Sequence, residues 1–182
     1  MINFAENDAI KVTIATAGAI PIILKSMTSH AGHAGVNEYG CRALRNLAVN
    51  DANQVTILAA GAIPVILKAM AAHVGHAGVN ENCCMALMSL AKSHATIVTI
   101  AAAGAIPVIL KAMTAHVGHA CVNDRGCWAF ANLAMNDANK VTIAAAGAIP
   151  VILKAMTAQA GHAELNEDGC RALSNLSLND AN

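Results

Sequence analysis

Aromatic residues are almost missing from this chain of 182 residues: Phe4, Tyr39, Trp128 and Phe130 are the whole complement. So few rings leave no stacking platform for single-stranded bases. Charge is also scarce, at 12% of residues, and 11 basic against 11 acidic side chains give a formal net charge of zero. That balance argues against an electrostatic grip on nucleic acid, which draws on clustered Lys and Arg. Long apolar runs are lacking too. The strongest candidate, Ile97 to Leu110, spans 14 residues and is interrupted by Gly104 and Pro107; a bilayer span needs about 20. The amino terminus carries Glu6 and Asp8 where a secretory signal would be cationic. No membrane span or signal is expected, and the chain reads as soluble. What is abundant is apolar, 56% of residues, which excludes intrinsic disorder. The length suits one ordinary domain or two very small ones.

The few prolines carry the organisation. Pro21, Pro64, Pro107 and Pro150 lie 43 residues apart, and each closes a Gly-Ala-Ile-Pro tetrapeptide beginning at Gly18, Gly61, Gly104 or Gly147. Cys41, Cys84, Cys127 and Cys170 keep the same period, and 22 of 25 positions are identical between Val55–Val79 and Val98–Val122. A period of this length belongs to an array of stacked units rather than to one globular core. The units fall at about 7–49, 50–92, 93–135 and 136–178, with partial flanking ends at 1–6 and 179–182.

Each unit reads as three helices. In the fourth, Asn136 or Asp137 caps a helix running to about Ala146, and Gly147 supplies a left-handed stop. Pro150 then falls in the first turn of a second helix, where its missing amide is harmless. Ile149, Ile152, Leu153 and Met156 place an apolar stripe on that helix at spacings of three and four. Gly161-His162 makes a loop, and a third helix spans about Leu165 to Leu178, with Glu167 and Asp168 near its positive end. The fold class is therefore all-α.

These residues resemble the armadillo repeat. Its pattern is a short helix, Gly-Ala-Ile-Pro opening a second, and a third ending Ala-Leu-x-Asn-Leu. Gly61-Ala62-Ile63-Pro64 and Ala172-Leu173-Ser174-Asn175-Leu176 fit it, with Ser89 replacing the Asn and Phe130 the first Leu elsewhere. The resemblance covers essentially the whole chain and implies a right-handed α-solenoid whose third helices line a concave groove for extended peptides. In such grooves Asn side chains pair with the ligand backbone, and Trp residues one turn earlier flank its side chains. Trp128 and Asn132 match that pair. Asn46 and Asn175 keep the Asn behind Arg42 and Arg171, whereas Met85 and Ser89 have replaced both members.

Comparison among the four units adds a second criterion. On the third helix the columns of Cys41, Ala43, Leu44 and Leu47 are constant or nearly so, as expected of packing between repeats. Four columns vary: Tyr39, Asn82, Arg125 and Asp168; Arg42, Met85, Trp128 and Arg171; Arg45, Met88, Ala131 and Ser174; and Val49, Lys92, Met135 and Leu178. Their offsets keep them on one helical face, either a tolerant solvated surface or a binding face. Arg42, Arg45, Arg125 and Arg171 against the single acid Asp168 favour an acidic or carboxylate-bearing partner.

His30/His33, His73/His76 and His116/His119 form His-x-x-His pairs, with Gln159 and His162 at the corresponding fourth positions. A closed zinc site needs four ligands, and nothing repeats beside them to complete it; helix-end charge compensation and loop packing are the expected roles. No metal, cofactor or catalytic constellation is expected. The periodic cysteines belong to the constant, buried stripe, and Cys83 and Cys121, which break the period, are candidates for exposure. Six thiols without a disulfide framework suit a cytoplasmic or nuclear setting. Lys25, Lys68, Lys111 and Lys154 form a ladder on the outer side of the second helix. Gly40, Gly126 and Gly169 within the third helix predict close approach between repeats. Asn3 to Ala9 echoes Asn46 to Ala52, so the chain opens in the last turn of a third helix. The array is expected to be a non-enzymatic protein- or peptide-binding scaffold. The alternative is a structural assembly module that stacks end to end or laterally into a larger filamentous or multi-protein complex; the chain is expected to be an excerpt of a longer array or a head-to-tail homo-oligomer.

Overall fold

The computed structural model describes the backbone of residues 4–178 and the side chains of residues 8–178. The described residues form twelve α-helices and no strand. They come in threes: α1 (Phe4–Thr16), α2 (Ala19–Ser29) and α3 (Ala34–Leu47); α4 (Asp51–Ala59), α5 (Ala62–Ala72) and α6 (Ala77–Leu90); α7 (His94–Ala102), α8 (Ala105–Ala115) and α9 (Ala120–Leu133); α10 (Asp137–Ala145), α11 (Ala148–Ala158) and α12 (Ala163–Ser177).

The glycine of each Gly-Ala-Ile-Pro takes a left-handed conformation, with φ between 77° and 91°, which a side chain would strain. The first and second helices meet there at 68°, 74°, 71° and 73° along the array. No single helix among the described residues is long and apolar enough to cross a membrane. Asn50 and Asn136 cap α4 and α10 by accepting from the amides of Asn53 and Asn139, and Ser93 does the same for α7. At Asn7-Asp8, however, α1 runs straight through from Phe4. The expected last turn of a third helix is instead continuous with the first helix, because among the described residues there is no preceding helix for the chain to turn from. Asn3 lies outside the described residues.

The third helices begin earlier than the apolar pattern suggests, α12 at Ala163 rather than Leu165. The second histidine of each unit is the cause. Nδ1 of His33, His76, His119 and His162 accepts from the amide three residues on, capping the helix. The first histidine works between units: Nε2 of His73 lies 2.8 Å from the Ala31 carbonyl, and Nε2 of His116 lies 2.8 Å from that of Val74. Gln159 donates to Gly118 O at 2.9 Å in the same place. The periodic histidines are thus one cap and one inter-repeat clasp, and no group of three or more metal-ligating side chains occurs among the described residues.

An unforeseen polar ladder closes the loop before each third helix. Asn37, Asn80 and Asn123 are buried, and with Asn166 they turn Nδ2 back onto loop carbonyls. For Asn80 the acceptors are the carbonyls of His73, Val74 and His76, at 2.9, 3.1 and 2.9 Å.

Third helices stack on third helices (α3, α6, α9, α12) and second on second (α2, α5, α8, α11). Their shared layers hold Leu44, Leu87 and Phe130, and Ile20, Ile63 and Ile106, all buried. In the fourth unit Ile149 and Leu153 of the expected apolar stripe are 37% and 48% exposed, although Ile152 is fully buried. No further unit covers that side of α11 among the described residues. Cys170 is exposed for the same reason, whereas Cys41, Cys84 and Cys127 are buried as expected.

The helix glycines correct another expectation. A Cβ on Gly40, Gly126 or Gly169 would fall 2.5–2.6 Å from side-chain atoms of Met27, Met113 or Met156. These methionines sit on the second helix of the same unit, so the close approach is within a repeat, not between repeats. Cys83 occupies this glycine column in the second unit and is buried rather than exposed. Its sulfur lies 3.3 Å from that of Cys41; contact with Cys41 first, and burial second, push its thiol well above the ordinary value. Burial similarly raises Cys84 and Cys127 to about 12, which leaves both as protonated packing groups. Cys121 is exposed, as expected.

Candidate functional site

Stacking of α3, α6, α9 and α12 brings the predicted site residues onto neighbouring helices. Trp128 is half-buried against the core and Asn132 lies one turn beyond it. Met85 and Ser89 hold the same two positions on α6, both half-buried. Arg42 and Asn46 on α3 are exposed, as is Tyr39, at 65%. Asn175 completes the asparagine row on α12.

Several of these groups already have partners within the chain. Asn132 donates to Trp128 O in its own helix, and Ser89 to Met85 O. Asn175 reaches across to Ala131 O of α9 at 2.8 Å. A backbone laid over this face would therefore exchange intramolecular hydrogen bonds for its own, a smaller net gain than pairing with free amides.

The arginines are similarly divided. Arg125 lies 3.0 Å from the Asp124 carboxylate, and Arg171 bridges Glu167 at 2.6 Å and Asp168 at 2.8 Å. Arg45 points Nη1 at the Met85 sulfur, 3.0 Å away. Arg42 and Arg45 are the groove arginines without a carboxylate partner among the described residues. Positive potential consequently concentrates toward the α3 end of the face.

One of the four varying columns is not open surface. Met88 and Ala131 are 6% and 2% exposed, packed between adjacent third helices. Variation there reflects interchangeable packing volumes, with Arg45 and Ser174 tolerated at the two outer units. The column of Asp168 also dips into the junction between α9 and α12, where Asp124 is 2% and Asp168 9% exposed. Desolvation is the main influence raising the Asp168 carboxyl above its ordinary 3.8; Arg171 opposes this, while the charge and hydrogen bond of Asp124 reinforce it. Because the folded value exceeds the unfolded one, this contribution to stability is complete below about pH 4 and is lost as pH rises through the raised value. Asp168→Asn should remove that increment. In urea titrations the variant should gain on the parent between pH 4 and pH 7; a pH-independent difference would show that the fold does not raise the Asp168 carboxyl.

Two cavities adjoin the asparagine row where the last turn of a third helix meets the first helix of its own unit. One, of about 530 Å³, is lined by Ile10, Ile14, Ile23, Ala43, Asn46 and Leu47 among others. The other, of about 280 Å³, is lined by Ala134, Met135, Lys140, Asn175 and Leu178.

Four three-helix units, a left-handed glycine at each first bend and continuous stacks of second and third helices define an α-solenoid of the armadillo class. The family described as the LRRK2 ARM repeat matches residues 6–181. The chain belongs to that armadillo-repeat family. Two engineered proteins with crystal structures from the Northeast Structural Genomics Consortium share the fold. One superposes with a TM-score of 0.77 at 27% identity, over 93% of this chain and 66% of its own. The other gives 0.78 at 26%, over 94% of this chain and 40% of its own. The chain thus spans less than two thirds of either. No curated protein matches it.

Proposed function

We propose that the protein is a binding scaffold that holds an extended protein segment across its third helices, with Trp128 and Asn132 at the centre. The observation that carries this reading is the alignment of Asn46, Ser89, Asn132 and Asn175 at one position on four directly stacked helices. Such a row offers side-chain amides or a hydroxyl at each step, and the half-buried Trp128 and Met85 offer apolar flanks for the segment's side chains. An acidic residue of the segment lies opposite Arg42, the exposed one of the two groove arginines, Arg42 and Arg45, that lack a carboxylate among the described residues. The free thiols suit a cytoplasmic or nuclear setting.

The test is to pan a displayed library of random 12-residue peptides against the full chain and measure selected peptides by calorimetry. Asn132→Ala should weaken binding by about tenfold, the equivalent of about 1.4 kcal/mol. Arg42→Glu should penalise acidic peptides selectively. Peptides that bind both variants as tightly as the parent would overturn the reading.

A second reading, end-to-end self-association, has its own support. Ile10 and Ile14 are 56% and 42% exposed, whereas their counterparts one period on, Asn53 and Ile57, are 4% and 0% exposed under the preceding unit. Ile149, Leu153 and Cys170 are uncovered at the opposite end. Contacts of that kind are heterologous and propagate. Sedimentation velocity should then show mass rising with concentration, abolished by Ile10→Glu; a constant monomer would remove this reading.

A further inference from the structure

The second helices carry one charged residue each, and it is always lysine: Lys25, Lys68, Lys111 and Lys154. All four are exposed. Elsewhere the lysines are neutralised: Lys11 by Asp8, Lys92 by Asp51 and Lys140 by Asp137. None of the four second-helix lysines has a carboxylate partner among the described residues. The neutral total therefore hides a separation of charge: among the described residues the acids lie on the first and third helices, and the second helices carry only cations. The other residues of each second helix are uncharged. Beside Lys111, Pro107, Leu110, Thr114 and Ala115 line an apolar cavity of about 640 Å³.

The spacing of the row selects a partner geometry. Successive second helices pack directly on one another, and packed helices lie about 8–10 Å apart, so the lysine-bearing helices recur at roughly that step. A β-strand alternates faces, bringing like-facing side chains back at about 6.6 or 13 Å. A polyproline II segment has three residues per turn and a rise of about 3.1 Å, which returns every third side chain to the same edge after about 9.3 Å.

We propose that the lysine row is a second docking surface, separate from the third-helix face, for an acidic polyproline II segment with a carboxylate at every third residue. The carboxylates face Lys25, Lys68, Lys111 and Lys154 in turn, and the intervening rings lie on the Pro and Ala surface between them. A segment already in this conformation loses little entropy on binding, which matters because each exposed ion pair contributes little. An anionic membrane is the less suitable occupant: no Trp, Tyr or Phe lies on the second helices to seat in a headgroup layer.

The experiment uses the full chain and a synthetic probe of four Glu-Pro-Pro triplets, followed by calorimetry at low ionic strength. The probe should bind more tightly than a peptide of the same composition with its four Glu contiguous. Lys68→Gln combined with Lys111→Gln should weaken it by about tenfold, and Asn132→Ala should leave it unchanged. Both lysines are exposed, so an unaltered melting curve for the double variant is the expected folding control. Equal affinity for the contiguous-Glu peptide would overturn the proposal. So would equal affinity for a helical peptide with Glu at every seventh position, or binding confined to phosphatidylserine vesicles.

Discussion

Asn80→Asp should destabilise the protein by on the order of 3 kcal/mol or more at neutral pH, although the two side chains have nearly the same shape. The Asn80 amide nitrogen donates to three loop carbonyls within 3.1 Å, and the residue is fully buried. An aspartate there turns the donor into an acceptor facing three other acceptors. It must either stay ionised without a cation or take up a proton and offer a single O–H. The fold therefore raises the new carboxyl above its unfolded value. By the linkage sign, the lost stability returns as pH falls and is greatest once pH has risen past the raised value. Asn80→Ala should lose about 1–3 kcal/mol, from unsatisfied carbonyls alone, with no such pH dependence. Urea unfolding at pH 4 and pH 7 separates the two; a loss for Ala with none for Asp at either value would show that the amide contributes only its volume.

The next largest effect belongs to Phe130, which is fully buried in the layer between the third helices. Phe130→Ala should lose about 3–5 kcal/mol through transfer and cavity terms together. Phe130→Leu should lose much less, below about 1.5 kcal/mol, since Leu44, Leu87 and Leu173 hold the same position in the other units. The placement matters as much as the size. Stability in a repeat array is close to a sum of unit and nearest-neighbour terms, so a void in the third unit weakens its junctions with both neighbours. Phe130→Ala should broaden the urea transition and lower its slope as cooperativity fails. A parallel shift to lower urea with an unchanged slope would mean that the four units still unfold as one.

How much of this was legible in the sequence depended on whether the cause was local and periodic. The Gly-Ala-Ile-Pro bends were visible because a left-handed glycine and a first-turn proline leave a chemical mark at fixed spacing. The helix class and the 43-residue unit followed directly. The roles of Asn37, Asn80, Asn123 and Asn166 did not, although the column never varies. Their acceptors are loop carbonyls, and no side-chain pattern records a carbonyl. The histidine caps were hidden because cap preference points first to Ser, Thr, Asp and Asn.

The binding face was only partly readable. Variation among repeats located Tyr39, Arg42 and Trp128 at the surface, but it also pointed to Met88 and Ala131, which are packed between helices. A varying column can mean exposure or merely exchangeable volume. Counting arginines against one acid similarly overstated the charge of the face. Asp124 and Glu167 stand in a neighbouring column, yet their side chains reach Arg125 and Arg171. Cys83 was misplaced by its departure from the period, when it simply fills a site that glycine occupies in the other three units.

The most direct test of the third-helix face uses Trp128, the chain's single tryptophan, as its own reporter. A library-selected peptide at saturation should shift its emission and shield it from acrylamide quenching. Asn132→Ala should require about tenfold more peptide for the same shielding. Quenching of Trp128 that stays unchanged while calorimetry registers a fully bound peptide would place the ligand elsewhere and contradict the account.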